Sequence, residues 1–324
     1  MYKLISIGKG TINCRFEALG TINEIMVFGG FGQTLLEEAA ERVMQINNRM
    51  SPFIPVSDIA RLNHNAGLKP VTVHPETLQL LRTAKQISKL SNGAFDITVR
   101  PLIELWGIGK KQNYIPSRRE INKAMRLTGS KDLVLDEQAG AAYLKRKGQA
   151  ADLGGIAKGY AADEVKRILT EADVTSAMIN LGGNIVTVGS HPDGAPWHIG
   201  IQNPLAVTGE YLGRITCRDD TVVTSGSNER FFIKDGIRYH HILDPHTGEP
   251  AQSGLLGVTA VCKSSTEADA LTTAVFVLGM YRGVKLIKQF QAEAVFLTED
   301  YKVYTTDGLT NRFELAPLLQ RKAQ

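Results

Sequence analysis

A carboxylate and a hydroxyl stand four residues apart at the start of the apolar segment EADALTTAVFVLG, residues 267–279. Residues at this spacing lie on one face of a helix, so Asp269 and Thr273 could hold a hard cation between them. A simpler explanation is also open. Carboxylates are favoured in the first turn of a helix by the unpaired N–H groups there, and Ser264 with Glu267 predicts a capping box at this point.

The segment DLGGIAKGYAAD, residues 152–163, has a second pattern that suits chemistry. Gly154 and Gly155 separate a predicted strand from a helix that begins near Ile156, and backbone N–H groups at such a helix start suit a phosphate. Lys158 would add a positive charge. The segment lacks both the Gly-Lys-Ser/Thr ending of a Walker A loop and the G-x-G-x-x-G spacing, so an ordinary glycine turn is the alternative.

Two further segments carry polar groups in apolar surroundings. Asp96, in SNGAFDITVRPL, is either a turn residue or a hydrogen-bond acceptor for a ligand. In YHHILDPHTGEP, His240 and His241 are adjacent, so they face opposite sides of a predicted strand and one of them faces inward. His246 is expected on an exposed turn, and no histidines have the spacing of a zinc site. Together the glycine turn, the lysine, the Asp/Thr pair and an inward histidine indicate a phosphate ester handled with a hard metal.

The composition is that of an ordinary globular protein and excludes several classes. The chain has 324 residues, 43% hydrophobic and 22% charged, and a net charge of only +4. Its basic residues are scattered, which argues against a nucleic-acid partner. Cys14, Cys217 and Cys262 are too far apart for a metal site and are expected as buried thiols. No run reaches the ~18 apolar residues of a membrane span, and no export leader is seen, so the expected location is the cytoplasm.

Helical and strand-like stretches are mixed without a regular βαβ rhythm, which predicts an α+β fold with largely antiparallel sheets. It should form a single domain over residues 1–324, with a core of about 12–315 and short tails. Helices are predicted over 33–50, after Ser57, over 75–93, after Ser117, over 155–171 and after Ser264. Hairpins are predicted over 12–28, 131–148, 230–243 and after residue 293, and single strands near 176–180, 185–189, 197–201 and 211–218.

Five motifs in this order resemble the ApbE family of FAD-dependent flavin transferases. They are GAFDITVRPLIELWGIG, DLGGIAKGYAAD, INLGGNI, HHILDPHTGEP and EADALTTAVFVLG, and the likeness begins at EALGT near residue 17. The resemblance implies a single α+β domain that binds FAD in a cleft between its halves. It also implies transfer of the FMN half of FAD to a threonine hydroxyl of an acceptor flavoprotein, with release of AMP. Some members instead hydrolyse FAD to FMN and AMP, and a flavin-binding protein without turnover is a third possibility.

The resemblance also implies roles for individual residues. The flavin nucleotide would be lined by Leu19, Phe53, Ala94, Phe95, Asp96, Asp152, Lys158 and Leu243. Magnesium would be held by Asp269, Thr273, the adjacent Thr272 and a backbone carbonyl at Gly155. The catalytic residues would be His241, facing the reacting phosphate, with Asp269 and Lys158. Retention of this set argues against a pure binding protein.

Three positions depart from the family pattern. Phe53 stands where the family has the tyrosine of S-x-Y, so a hydroxyl is missing while ring stacking is kept. Arg100 replaces the glycine of T-V-G-P-L and adds a charge near the flavin loop. Leu19 replaces the methionine of M-G-T, a mild apolar change. Family members are commonly exported and anchored to membranes, and this sequence shows no such signal.

Overall fold

A nine-stranded antiparallel sheet is the platform on which the rest of the protein packs. The computed structural model describes residues 2–6, 10–111, 113–204 and 209–316. The strand order in the large sheet is β1-β2-β3-β7-β8-β11-β14-β15-β16. Its strands are β1 (Tyr2–Ser6), β2 (Thr11–Ala18), β3 (Thr21–Phe28), β7 (Ser176–Leu181), β8 (Asn184–Gly189), β11 (Thr221–Gly226), β14 (Leu255–Cys262), β15 (Glu293–Thr298) and β16 (Val303–Thr305).

Helices cover one face of this sheet. The helices of the chain are α1 (Gln33–Met50), α2 (Asp58–His64), α3 (Pro75–Leu90), α4 (Arg100–Trp106), α5 (Arg118–Met125), α6 (Ala157–Glu171), α7 (Ser265–Leu278) and α8 (Met280–Gln289). Helix α7 packs between α6 and strands β11 and β14, and α1 packs on α6 and β2. Because α7 has neighbours on all sides, ten of its fourteen residues are buried. Its apolar sequence therefore follows from its central position.

Three small sheets complete the fold. Strands β9 (Trp197–Gln202), β10 (Tyr211–Cys217) and β17 (Phe313–Leu315) pack on the other face of the large sheet. Strands β4 (Val71–Thr72), β5 (Leu133–Asp136) and β6 (Ala141–Leu144) form a second sheet, and β12 (Phe231–Lys234) pairs with β13 (Ile237–His240). The period of two is visible in β11, where Val222 packs with the β9–β10 layer and Val223 packs with the helices.

The predicted α+β class, with antiparallel sheets in one domain, is confirmed. The domain boundaries stay a prediction, and the expected C-terminal tail lies outside the described residues after 316. Several elements were missed by the sequence patterns, among them β1, β4, β17, strand β11 and helix α8. Strand β11 is short and rich in threonine and serine, and helix α8 follows directly on Gly279, whose φ of +76° ends α7. The two helices together are long and apolar enough to cross a membrane, but 56% of the apolar 18-residue window in this stretch is buried inside the protein, as in a core helix.

Helices α6 and α7 approach each other through Gly159. A Cβ built on Gly159 would lie 2.1 Å from the carbonyl oxygen of Ser265, at the first turn of α7. No side chain can occupy that space unless the helices move apart. Gly159 therefore sets the distance between the two helices.

We expect Gly159→Ala to lower the free energy of unfolding by about 2 kcal/mol or more, because the added methyl would force α6 and α7 apart. Gly32→Ala is the matched control, since nothing lies within 4 Å of a Cβ built there. Urea unfolding of both variants measures the difference. Equal stability of the two variants would show that the helices separate at no cost.

Candidate functional site

The N-termini of helices α6 and α7 are each supported by an aspartate from the other helix. Asp163 of α6 accepts hydrogen bonds from the backbone N–H of Ser265 (2.8 Å) and of Thr266 (2.9 Å) at the start of α7. Asp269 of α7 accepts a hydrogen bond of 3.0 Å from the backbone N–H of Gly159, in the first turn of α6. Each carboxylate therefore meets orphan N–H groups and the positive end of a helix dipole.

This exchange answers the question that the sequence left open about Asp269. The start of α7 is capped by Ser264, which accepts from the N–H of Glu267, and by Asp163. Asp269 makes its contacts with α6 instead, and only 4% of its surface is exposed. Lys158 lies beside it, with Nζ 3.2 Å from Oδ1 and 3.4 Å from Oδ2. Asp269 is therefore a buried carboxylate that does not cap its own helix. Its ion pair with Lys158 places it beside the glycine turn that precedes α6.

The glycine turn ahead of α6, at Gly154 and Gly155, brings further residues next to the Asp269–Lys158 pair. Lys158 also donates to the carbonyl of Gly154 at 3.0 Å. A Cβ on Gly155 would lie 3.3 Å from the ring of Phe95 and 3.6 Å from the hydroxyl of Thr273. Lys158, Gly155, Phe95, Thr273 and Asp269 are thus brought together as predicted neighbours. Gly154 of the turn is exposed.

Thr272 is placed differently from Thr273. It is fully buried, its hydroxyl donates to the backbone carbonyl of Asp269 at 2.9 Å, and it accepts from Ser225 of β11 at 2.9 Å. The hydroxyl therefore already serves the backbone of α7 and fixes the helix to the central sheet. Ser225 was not singled out from the sequence, because its partner is distant along the chain.

The two adjacent histidines have different environments. His240 is the inward residue, with 5% exposed surface, an Nε2 contact of 3.0 Å to the carbonyl of Ala251 and an edge contact to the ring of Phe276. His241 lies just after β13, and 33% of its side chain is exposed. Its Nε2 is 3.9 Å from Glu229, and its buried Nδ1 has no hydrogen-bond partner among the described residues.

Charged groups meet around His241. Burial lowers the pKa of His241 to about 4, and the positive charges of Arg230 and Lys158 act in the same direction. The pKa of Glu229 is raised, first by the protein atoms that replace water around its carboxylate and then by the charge of Asp269, while Lys158 and Arg230 oppose the shift. His241 is therefore neutral at pH 7 and lies within electrostatic range of Lys158.

A second group of predicted residues gathers around Arg100. Its Nη1 lies 2.9 Å from Asp152, and its guanidinium carbon lies 4.7 Å from the centre of the Phe53 ring. The other oxygen of Asp152 accepts from the N–H of Gly154 at 2.8 Å, so this group continues into the glycine turn. Phe53 is 67% exposed, and Lys110 also lies over its ring, at 4.8 Å. Arg100 thus links Phe53 to Asp152, and Asp152 and Lys158 both form hydrogen bonds with Gly154 of the glycine turn.

Asp96 is buried and has several protein partners. Its carboxylate accepts from the N–H and hydroxyl of Thr98 and from the N–H of Ser130, at 2.7–2.8 Å. Burial raises the pKa of Asp96, and these hydrogen bonds oppose the shift. The contacts fix the loop that carries Ala94 and Phe95, both of which are buried. Asp96 therefore shapes the loop, as one of its two sequence interpretations proposed.

The remaining predicted residues lie at the margins of these groups. Leu243 is buried in the small cluster around Trp106, next to the turn at Asp244. Leu19 has a φ of +55°, and its N–H donates to Asn47 of α1 at 3.1 Å. No contact in the described part of the chain joins Leu19 to Asp269 or Lys158. The structure thus separates the predicted set into a charged centre and a looser surround.

His246 is exposed, as expected, yet it connects two of these loops. Its Nδ1 lies 3.0 Å from Asp244, and its Nε2 lies 2.9 Å from the carbonyl of Asn92, beside Gly93. It thereby ties the turn after β13 to the loop of Phe95. The only sequence signal was the Asp-Pro-His-Thr-Gly turn, which does not reveal a contact with residue 92.

The donor groups fit a hard cation better than a soft one. Among the described residues, no group of three or more His, Cys, Asp or Glu side chains could hold a metal ion. The candidate donors are one carboxylate (Asp269), one free hydroxyl (Thr273) and backbone oxygen at Gly155. All are oxygens, and magnesium commonly takes one or two carboxylates and completes its shell with water and substrate phosphate.

Comparisons with known proteins identify relatives over most of the chain. A profile of the ApbE family matches residues 19–296, a range that includes every predicted site residue from Leu19 to Thr273. An FAD:protein FMN transferase of Klebsiella pneumoniae (strain 342) is 36% identical over 282 residues, 86% of this chain and 87% of the relative. An FAD:protein FMN transferase of Treponema pallidum (strain Nichols) is 32% identical over 312 residues, 91% of this chain and 86% of the relative.

Solved structures show the same backbone. The ApbE protein of Thermotoga maritima has a TM-score of 0.84 and 32% identity, and the match covers 96% of this chain and 99% of that chain. The flavin transferase ApbE of Vibrio cholerae has a TM-score of 0.84 and 29% identity, with 93% of this chain and 99% of that chain covered. The likeness therefore extends over both the charged centre and its surround.

We expect acid to destabilise this protein partly through His241. The folded pKa of about 4 lies below the ordinary value of 6.5, so between these values the unfolded chain binds a proton that the folded chain does not. Stability from this group is complete above about pH 6.5 and is lost as the pH falls towards 4. Urea midpoints of the wild type and His241→Gln, at pH 7 and at about pH 5, should show a smaller acid loss in the variant. An equal loss in both would contradict the assigned shift.

Proposed function

This chain belongs to the ApbE family, and we propose that it moves the FMN half of FAD onto a threonine hydroxyl of an acceptor flavoprotein, with Mg²⁺ at Asp269 and release of AMP. The single observation that supports this most strongly is the Asp269–Lys158 pair beside the glycine turn at Gly154 and Gly155. It combines a carboxylate for a cation, an ammonium for an anion and a helix N-terminus. These are the groups that phosphoryl transfer requires.

Lys158 and the first turn of α6 bind and orient the diphosphate in this proposal. The ammonium of Lys158 is partly buried and is held by Asp269 and the carbonyl of Gly154, so its position is fixed before the ligand arrives. The dipole of α6 adds positive potential at the same place. A fixed cation needs no rearrangement when charge develops on the phosphate, and this pre-organisation is what lowers the barrier.

Asp269 and Thr273, with backbone oxygen at Gly155, are the residues that would hold the magnesium ion. When bound, Mg²⁺ supplies charge neutralisation at the phosphate oxygens. Asp269 keeps its hydrogen bond to the N–H of Gly159, which holds the carboxylate in place for this task. Thr272 supports the position of Asp269. Its hydroxyl donates to the backbone carbonyl of Asp269 and accepts from Ser225 of β11.

His241 is the proposed proton acceptor. The threonine oxygen of the acceptor attacks the phosphorus of the FMN half, its proton passes to the imidazole, the P–O bond to AMP breaks, and AMP leaves with the bonding electrons. His241 is neutral at pH 7 and a third of its side chain is exposed, so a ring nitrogen can accept the proton. A nearby anionic diphosphate would raise the pKa of His241 from about 4 and so strengthen the base.

One incubation separates this activity from the alternatives. The protein is mixed with FAD, Mg²⁺ and a candidate acceptor, and the products are separated by chromatography and gel electrophoresis. Flavin fluorescence on the acceptor band, with AMP in solution, is the expected result. Free FMN with AMP would instead identify an FAD pyrophosphatase, and unchanged FAD would identify a binding protein. An acceptor whose threonine is replaced by valine must stay unlabelled if the hydroxyl is the attachment point.

We expect Asp269→Asn to abolish most of the turnover while the protein stays folded. The change keeps the shape and one oxygen but removes the charge that a hard dication requires, so added Mg²⁺ should recover little activity. Thr273→Val should act in the same direction but more weakly, because a neutral hydroxyl contributes less to the cation. Turnover at several Mg²⁺ concentrations, with circular dichroism as the folding check, measures both. Wild-type turnover in a folded Asp269→Asn protein would reject the metal assignment.

We expect His241→Ala to keep FAD binding and to slow transfer by about 10²–10⁴-fold, the usual contribution of a general base. Titration calorimetry measures FAD affinity and the labelled acceptor measures the rate. His240→Ala is a poor control because His240 is a core residue, so His64→Ala, at the exposed end of α2, is the control variant. If His241→Ala and His64→Ala turn over equally fast, the base lies elsewhere.

A further inference from the structure

Arg100 connects two predicted flavin contacts that are far apart in the sequence. Its Nη1 pairs with Asp152 at 2.9 Å, and its Nε pairs with Glu104 at 2.8 Å, one turn along α4. Its guanidinium carbon lies 4.7 Å from the centre of the Phe53 ring. The planar guanidinium can do all three because its edges carry the N–H donors, while its flat face is suited to an aromatic ring.

The contact to Asp152 is not an ordinary surface ion pair. Only 11% of the Arg100 side chain and 17% of the Asp152 side chain are exposed. Removing charges from water to this extent is costly unless the geometry is good, and loss of one partner leaves the other unpaired. Asp152 also accepts from the N–H of Gly154, so a shift of its carboxylate would move the glycine turn.

The contact to Phe53 has a different consequence. Phe53 follows the end of α1 and is 67% exposed, so packing does not fix the orientation of its ring. Two cations lie over it instead: Arg100, which is itself held by two carboxylates, and Lys110 at 4.8 Å. A ring that is already oriented loses less conformational entropy when a ligand stacks on it, so the ligand binds more tightly.

We propose that Arg100 is a positioning residue for the flavin nucleotide: it holds Phe53 and Asp152 in their binding orientation before FAD arrives. The proposal rests on the proposed function, because it takes Phe53 and Asp152 as flavin contacts. Arg100 acts through these two side chains, so its loss raises the KM for FAD more than it lowers kcat. An arginine that served only to stabilise the fold would change the melting temperature and leave the affinity of the folded protein unchanged.

The test is a double-mutant cycle between positions 53 and 100, read by titration calorimetry with FAD and Mg²⁺ below the melting temperature. Arg100→Met keeps the length of the side chain without its charge and should raise the Kd for FAD about tenfold. Phe53→Ala should raise the Kd several-fold in the wild type, but by less than about twofold in the Arg100→Met background, because the ring is then no longer pre-oriented. Equal effects of Phe53→Ala in the two backgrounds would overturn the proposal.

Two further variants separate positioning from folding. Arg100→Lys keeps a charge for Asp152 but cannot present an extended flat face to Phe53, so it should restore the melting temperature and leave the FAD affinity reduced. Lys285→Gln removes the cation from the exposed pair with Tyr281 on α8 (4.3 Å) and should leave FAD affinity unchanged. Full rescue of affinity by Arg100→Lys would overturn the proposal.

The same measurements keep this proposal distinct from the proposed function. If the wild type binds FAD and labels its acceptor while Arg100→Met has wild-type KM and Kd, the role of Arg100 is wrong and the function stands. If the wild type neither binds FAD nor turns it over, both are wrong.

Discussion

The contact between the N-termini of α6 and α7 is the constraint on which the rest of the site depends. Each helix supplies an aspartate to the orphan N–H groups of the other, and Gly159 removes the side chain that would keep them apart. The arrangement fixes the rotation and the height of the two helices at once, since a small slide would break both sets of hydrogen bonds. Lys158, next to Gly159, therefore has to lie beside Asp269.

The same contact explains why a carboxylate can stand in the most buried helix of the protein. An isolated charge there would be costly, but Asp269 has an ammonium, a backbone N–H and a helix dipole around it. Buried ion pairs of this kind add little to stability when compared with apolar residues of the same size. The Asp269–Lys158 pair is better explained by its function: it keeps an anionic oxygen beside a fixed cation at the end of a glycine turn.

Local signals in the sequence predicted much of the fold and only part of the site. Helix starts were readable because Ser57, Ser117 and Ser264 do accept hydrogen bonds from N–H groups three residues ahead, and hairpins were readable from Gly140 and Asp235-Gly236. The roles of Asp163 and Ser225 were not readable, because each depends on a partner brought close only by tertiary packing. Because His240 and His241 are adjacent in the sequence, one of them was predicted to face inward. Only the packing around Phe276 shows that it is His240.

The charges around the site give the last support for a divalent cation. Four cationic side chains gather there, Arg100, Lys110, Lys158 and Arg230, and four carboxylates face them, Glu104, Asp152, Glu229 and Asp269. The ligand-free cluster is therefore close to neutral, with His241 uncharged. A diphosphate brings about two negative charges into this partly desolvated space, and the balanced charges of the cluster do not offset them. A dication held by Asp269 would restore neutrality, which is why we favour magnesium arriving with the nucleotide.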